Sequence, residues 1–397
     1  MSKQLKVLHV FNTFLPKTEI WALQLISRLS EIASEVFAIH RDEQGYVGID
    51  LSVKESKAGP LIRKKWNLSS YNPMDIFRKL SINYNLHKLP PLIEELSNHI
   101  SNTCPNILHF HFGDVAARFL PIIEKTKRTV CISFYGQDYE QLPSQNPDLL
   151  KLYHKLSLTK AYFICEGPHG KSILEKYGFR PEQIVVLPLG IQTTHQTPLS
   201  KKQNTLSLIQ IASFTEKKGQ LITVQAIQKL QNSCPGIKLT LVGDDRNPGY
   251  ASTIKKYIKD EKLEHQISIR PFVPYHQISK ILRAHHVFIH PSQYAENLDC
   301  EGGAPVILMN AQNAGLPVIS TTHCDIPAVV RTGYTGILSP EGQVQGIVDS
   351  IKTFYEMDPV QYTCYSQNAI NWSNECFNIE SNAQKYSDFY HKIIPDI

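Results

Sequence analysis

The 397-residue sequence has no Gly-x-Gly-x-x-Gly after its first strand-like segment, no Walker lysine loop and no Gly-x-Ser-x-Gly elbow. These absences remove the commonest competitors for an alternating α/β chain: a nicotinamide dehydrogenase, a P-loop nucleotidase and a serine hydrolase. No window approaches the roughly 18 uncharged apolar residues of a membrane span. The start, Met-Ser-Lys-Gln-Leu-Lys-Val-Leu-His-Val-Phe, has too short an apolar run for a secretory signal, so a cytoplasmic protein is expected. The eight cysteines include no Cys-x-x-Cys pair, which excludes zinc-ribbon and dithiol redox spacings and leaves buried, reduced thiols as the expectation. A net charge of +5 suits an acidic membrane face or a phosphorylated substrate and falls far short of a nucleic-acid footprint.

What is present is a long alternation of short apolar runs and amphipathic segments. Strands are expected at 6–11, 35–40, 106–110, 129–134, 161–165 and 184–190, then at 206–212, 238–242, 267–270, 287–292 and from Val318. Helical spacing links Trp21, Leu25, Ile26 and Leu29 behind a Thr18 N-cap, and links Leu221, Val224, Ile227 and Leu230. Residues 42–105 are less regular. Their one basic-aromatic cluster, Arg63-Lys64-Lys65-Trp66, reads either as a solvated loop or as a lipid-interface contact. The polar segment 193–205, with Pro198 and Lys201-Lys202, reads as a linker. The pattern predicts two doubly wound parallel sheets. The expected division is a first domain over 1–192, a second over 206–370, and terminal helices over 371–397.

Residues 300–321, CEGGAPVILMNAQNAGLPVIST, organise the chain. Gly302 and Gly303 permit backbone angles and close approaches that a side chain would block. Pro305 fits the first turn of a helix, and Gly315 with Pro317 supplies its stop. A helix start bared by glycines favours phosphate, through its N–H groups and its dipole. This stretch resembles the signature of family-four retaining glycosyltransferases, in the exopolysaccharide subgroup of the two-domain GT-B architecture. In that family a loop glutamate lies by the donor sugar, and a helical glutamate eight or nine residues later holds the nucleotide ribose. Glu301 fits the first place and Asn310 occupies the second. A lysine before a glycine, matched by Lys218-Gly219, neutralises the donor diphosphate together with an arginine whose place is Ser213. The segment Ile326-Pro327, usually followed by glutamate, is followed here by Ala328.

The resemblance implies two Rossmann-like domains facing across a cleft. Its donor side comprises Ser213, Lys218, Gly302, Gly303, Ala304, Pro305 and Asn310, and its acceptor side Lys17, His111, Tyr135 and Gly136. Glu301, Lys218 and Asp138 are the expected catalytic residues. Tyr135-Gly136-Gln137-Asp138 is similar to the family's Phe-His-Gly-Tyr-Asp region, with Tyr135 at the histidine place. His109 and His111 point the same way from one strand, but no third metal ligand is evident, and the family implies neither metal nor cofactor. The implied reaction moves a hexose from a nucleotide-diphosphate sugar to a glycan or lipid-linked glycan acceptor. It belongs to surface polysaccharide biosynthesis, with peripheral contact at the inner membrane face and no nucleic-acid partner. Ser213, Asn310 and Ala328 together support an alternative, a catalytically degenerate GT-B protein acting as a binding or partner subunit.

Overall fold

The computed structural model describes residues 4–14, 20–29, 31–42, 51–58, 90–245 and 249–394. The chain forms two compact units, Met1–Gly190 with Ile379–Ile397, and Ile191–Asn378.

The first unit is built on β1 (Leu5–Phe14), β2 (Ile32–Arg41), β3 (Ser52–Glu55), β4 (Ile107–His111), β5 (Thr129–Phe134), β6 (Tyr162–Cys165) and β7 (Ile184–Val186). They form one sheet in the order β3-β2-β1-β4-β5-β6-β7, with every pairing parallel. Successive residues of a strand face opposite layers, so both faces need cover. Leu8, Val10, Leu108, Phe110, Ile132 and Phe134 pack with Leu92, Val115, Phe119 and Tyr153 on one side. Leu5, Val7, Ile107, Cys131 and Ile164 meet Leu25, Leu29 and the helix Ile379–Ile393 on the other. That helix contributes Ala383, Tyr386, Phe389 and Tyr390, so the end of the chain completes the core that its beginning opens.

The second unit contains β8 (Leu206–Ile211), β9 (Ile237–Val242), β10 (Ile267–Arg270), β11 (Val287–His290), β12 (Val318–Thr321) and β13 (Gly336–Ser339), in the parallel order β10-β9-β8-β11-β12-β13. In each sheet the chain lays strands to one side of its first strand and then to the other. The reversal falls between β1 and β4, and between β8 and β11. Ligands of open α/β sheets bind beyond the carboxyl ends of strands at such points.

Several expectations shift. Residues 42–105 include β3 and the helix Pro90–Thr103, which buries Leu92 and Leu96 and packs Ile93 and Ile100 beside them at helical spacing. The strand expected over 184–190 ends at Val186. A boundary at 370 falls inside the helix Pro359–Cys376. There the Trp372 indole donates to the Val329 carbonyl at 2.8 Å, and the chain changes unit only after Asn378. Four of the eight cysteines are buried, while Cys104 and Cys364 are exposed, so the thiols are not uniformly interior. Lys17, Thr18 and the 63–66 cluster lie outside the described residues.

Candidate functional site

In the second unit the site grows from the two loops that flank the reversal of strand order. After β8 the chain passes Ser213 and a short 3-10 turn, Glu216–Lys218, and reaches Gly219 in the left-handed region at φ 67°. A Cβ on Gly219 would stand 2.0 Å from the carbonyl oxygen of Pro291. Glycine therefore lets the β8 loop lie directly on the β11 loop, and this places Lys218 beside Glu301.

Glu301 is the hub. Its Oε2 accepts from Lys218 Nζ at 2.5 Å. Its Oε1 accepts from the Ser292 hydroxyl at 3.0 Å and lies 3.2 Å from His290 Nε2. Its backbone N–H donates to His323 Nε2 at 3.2 Å. The Glu301 side chain is 5% exposed and that of Lys218 20%. Burial pushes the Glu301 carboxyl up, but Lys218, His290 and Lys217 outweigh it and hold the carboxyl well below its ordinary range. For Lys218 the balance is reversed: burial lowers its affinity for a proton more than Glu301 raises it. Lys217 ties down the approach to the hub, donating to Asp299 Oδ1 at 2.9 Å and to the Cys300 carbonyl at 2.8 Å. The result is a largely buried cluster with two lysines on one acidic loop.

Beyond Glu301 the loop turns at Gly302 (φ 69°), passes Gly303 and Ala304, and enters the helix Val306–Asn313 after Pro305. Gly302 needs the left-handed angle, and Gly315 (φ 87°) ends the helix as expected. Asn310 lies on this helix. Its Oδ1 accepts from the Tyr275 hydroxyl at 3.2 Å, and its Nδ2 donates to the Val306 carbonyl at 3.1 Å. Ser213 is half-buried, and its carbonyl accepts from Gln220 Nε2 at 2.9 Å. Ala328 is exposed on the short helix Ile326–Val329.

The structure thus gathers Lys218, Glu301 and the 302–305 loop at the ends of β8 and β11. It adds Lys217, His290, Ser292 and His323, none of them an expected site residue. His290 and Ser292 flank the carboxyl end of a buried strand, the place where α/β sheets put ligands, and that position is the signal that could have found them. Lys217 and His323 carry no comparable mark, because their roles depend on loops brought together by the sheet order.

In the first unit His111, Tyr135 and Gly136 cluster at the ends of β4 and β5. The Tyr135 hydroxyl lies 2.7 Å from His111 Nδ1, and burial pushes the phenol well above its ordinary range, so it is a neutral hydrogen-bonding group. Asp138, one of the expected catalytic residues, turns its carboxylate inward. Its carboxylate accepts from the backbone N–H groups of Gly113 at 2.7 Å and of Tyr135 and Gly136 at 2.9 Å each, and the residue is 1% exposed. It is a buried bracket joining the β4 and β5 loops. Burial outweighs those bonds and pushes its carboxyl up to about 7.

His9 supplies the third histidine not evident in the sequence. It pairs in register with His109 across β1 and β4, and its Nδ1 lies 3.0 Å from His111 Nε2. His109 meets the Tyr390 hydroxyl at 2.6 Å and the Ser133 hydroxyl at 2.7 Å, so both nitrogens of His109 and both of His111 are engaged. Burial lowers His9 to about 3 and holds the other two well below their ordinary value. The unfolded chain therefore takes up protons that the fold refuses. For His9 stability is full above about pH 6.5 and declines as pH falls towards about 3, by about 1.4 kcal/mol per pH unit, and His109 and His111 act in the same direction. Urea melts between pH 7.5 and 5 should show this decline, and a shallower one in His9→Asn. Equal slopes would contradict it.

Comparison with known proteins bears most directly on the second unit. Residues 192–372 match the family model described as glycosyl transferases group 1. A putative colanic acid biosynthesis glycosyltransferase of Salmonella typhimurium is 29% identical over 257 residues, covering 64% of this chain and 61% of that protein. An amylovoran biosynthesis glycosyltransferase of Erwinia amylovora is 30% identical over 243 residues, covering 60% and 52%. The matches thus span between half and two thirds of these relatives' own length. Among solved structures, Anabaena HepE in complex with UDP-glucose aligns over 98% of this chain and 100% of its own, with a TM-score of 0.74 at 15% identity. Sucrose-phosphate synthase from Thermosynechococcus elongatus aligns over 98% and 99%, with a TM-score of 0.76 at 15% identity. The fold is that of the GT-B glycosyltransferases.

Proposed function

From a GT-B chain whose second unit carries the group 1 glycosyl transferase pattern, we propose a retaining hexosyltransferase. It takes a hexose from a nucleotide-diphosphate sugar and places it on a glycan or lipid-linked glycan of a surface polysaccharide. The observation that carries the reading is the Lys218–Glu301 pair at the strand-order reversal of the second sheet, beside a glycine-opened helix start. The names of the Salmonella and Erwinia relatives support a polysaccharide product, and the HepE complex supports a nucleotide-sugar donor.

The chemistry follows from the charges. Transfer breaks the bond between the sugar's anomeric carbon and the diphosphate oxygen, and forms one from that carbon to an acceptor oxygen, whose proton is lost. Negative charge grows on the departing diphosphate. Lys218 and the N–H groups that begin the helix Val306–Asn313 stabilise it through preorganised electrostatics. Glu301, fixed on both oxygens, orients the sugar hydroxyls and keeps Lys218 charged. Tyr135 in the first unit serves the acceptor as a neutral hydrogen-bonding group, with buried His111 fixing its hydroxyl from behind and Asp138 holding the loop. No helix among the described residues is long and apolar enough to cross a membrane, and we assign the lipid-linked acceptor to peripheral contact with the inner membrane face.

Asn310 favours a second reading, a GT-B subunit that binds without transferring. Its amide is already shared between Tyr275 and Val306, and a neutral amide replaces a charge-assisted ribose contact. One substitution separates the two. In an active enzyme Asn310→Glu tightens the donor dissociation constant by about ten- to a hundredfold, equivalent to roughly 1–3 kcal/mol. Calorimetry with UDP-, GDP- and ADP-sugars reads this directly, and proton NMR of the product's anomeric centre tests retention. Unchanged affinity in Asn310→Glu, with no product from any donor, would favour the binding subunit.

A further inference from the structure

Beside the hub, two thiols and an imidazole converge. A ring nitrogen of His323 and the sulfurs of Cys300 and Cys324 lie within 4.8 Å of one another. Cys324 Sγ is 3.2 Å from His323 Nε2. The other ring nitrogen, Nδ1, is held by Glu341 Oε2 at 2.5 Å, which fixes the tautomer and leaves Nε2 as the coordinating atom. A carboxylate behind a histidine is the usual support of a metal-ligating imidazole. Cys324 also adopts φ 47°, a left-handed angle uncommon for a residue with a side chain.

We propose that Cys300, His323 and Cys324 bind a thiophilic divalent cation of the zinc class, and that filling this site releases the Glu301 backbone from His323. Zinc–sulfur bonds of about 2.3 Å and zinc–nitrogen bonds of about 2.0 Å in a tetrahedron put sulfurs about 3.8 Å apart and sulfur about 3.5 Å from nitrogen. The present spacing reaches that geometry with shifts on the order of 1 Å. Cys300 and His323 are each 1% exposed, which supplies a dry pocket, while half-buried Cys324 offers an entry path. Binding is balanced by loss of two thiol protons to solvent, and water completes the fourth position. The cost falls on the Glu301 N–H, which now donates to the nitrogen that the cation would take. Occupancy therefore frees the loop that carries the hub. This last step rests on the donor-site reading above; cation binding itself does not.

The test uses the reduced full-length chain. Titration with Zn²⁺ by calorimetry, and with Cd²⁺ by its ultraviolet thiolate charge-transfer band, should give one equivalent per chain. The stoichiometry should survive removal of the exposed thiols in a Cys104→Ser/Cys364→Ser variant. Affinity should fall at least tenfold in Cys300→Ser and in Cys324→Ser, and about ten- to a hundredfold in Glu341→Ala. In the unsubstituted protein Zn²⁺ should protect Cys300 and Cys324 from alkylation, a readout independent of any variant's folding. No saturable binding, wild-type affinity in both cysteine variants, or absence of protection would overturn the proposal. So would protection reversed by a reductant but not by a chelator, which would mean a disulfide. Weaker donor binding at one Zn²⁺ equivalent is the expected coupling. Cation binding with unchanged donor affinity would overturn the release of Glu301 while leaving the hexosyltransferase reading intact.

Discussion

Replacing Lys218 with alanine should lower kcat by on the order of 10²–10³, the usual loss when one preorganised group is removed from a developing negative charge. The ammonium is placed for this by two independent restraints: the 2.5 Å contact with Glu301 and the contact of Gly219 with Pro291. The substitution also leaves a buried carboxylate with one cation fewer. Removing one partner of a buried pair costs about 3–5 kcal/mol. The loss should be nearer the lower figure, because Lys217 and His290 still act on Glu301. The two effects separate experimentally, since denaturant melts without nucleotide read the second and single-turnover rates under folded conditions read the first. Lys218→Arg should recover most of the stability and only part of the rate, because the guanidinium is a planar fork and not a compact charge. A normal rate in Lys218→Ala would remove this lysine from the transfer step.

Gly219→Ala should be nearly as damaging, although it touches no substrate. Its Cβ would stand 2.0 Å from a backbone oxygen, and its φ of 67° disfavours any side chain by about 1–2 kcal/mol. All three nearest atoms belong to Pro291, whose backbone and ring cannot swing aside, so the β8 loop must lift from the β11 loop and carry Lys218 with it. A misplacement of about 1 Å at a catalytic group can cost on the order of 10²-fold in rate. The expected result is a lower melting temperature and a fall in kcat that approaches that of Lys218→Ala. Wild-type kinetics at a temperature where the variant is folded would show that the loop contact does not set the lysine's position.

These residues also show what the sequence makes legible. Glycine and proline mark turns by backbone necessity, so the loop from Gly302 to Pro305 and the helix stop at Gly315 could be read directly. Lys218 could be read because it lies between a strand and a helix, in the setting that the family resemblance requires. Asp138 was legible as a residue at the end of a strand. Its inward turn was not, because it depends on N–H groups from two separate loops. His9 and His109 are a hundred residues apart in sequence and meet only because β1 and β4 are neighbours. The same holds for His323 and Glu301, whose strands β11 and β12 lie side by side. The helix Pro90–Thr103 was legible in principle, since Leu92, Ile93, Leu96 and Ile100 fall at helical spacing.

The Lys218–Glu301 hub is expected to hold the diphosphate and sugar of a nucleotide-sugar donor. Calorimetric titration of UDP-, GDP- and ADP-sugars into the unsubstituted protein and into Glu301→Gln tests it most directly. Saturable binding of at least one donor at one site per chain is expected, weakened at least tenfold in Glu301→Gln while its melting transition stays cooperative. Absence of binding for every donor, or identical affinity in both proteins, would contradict it.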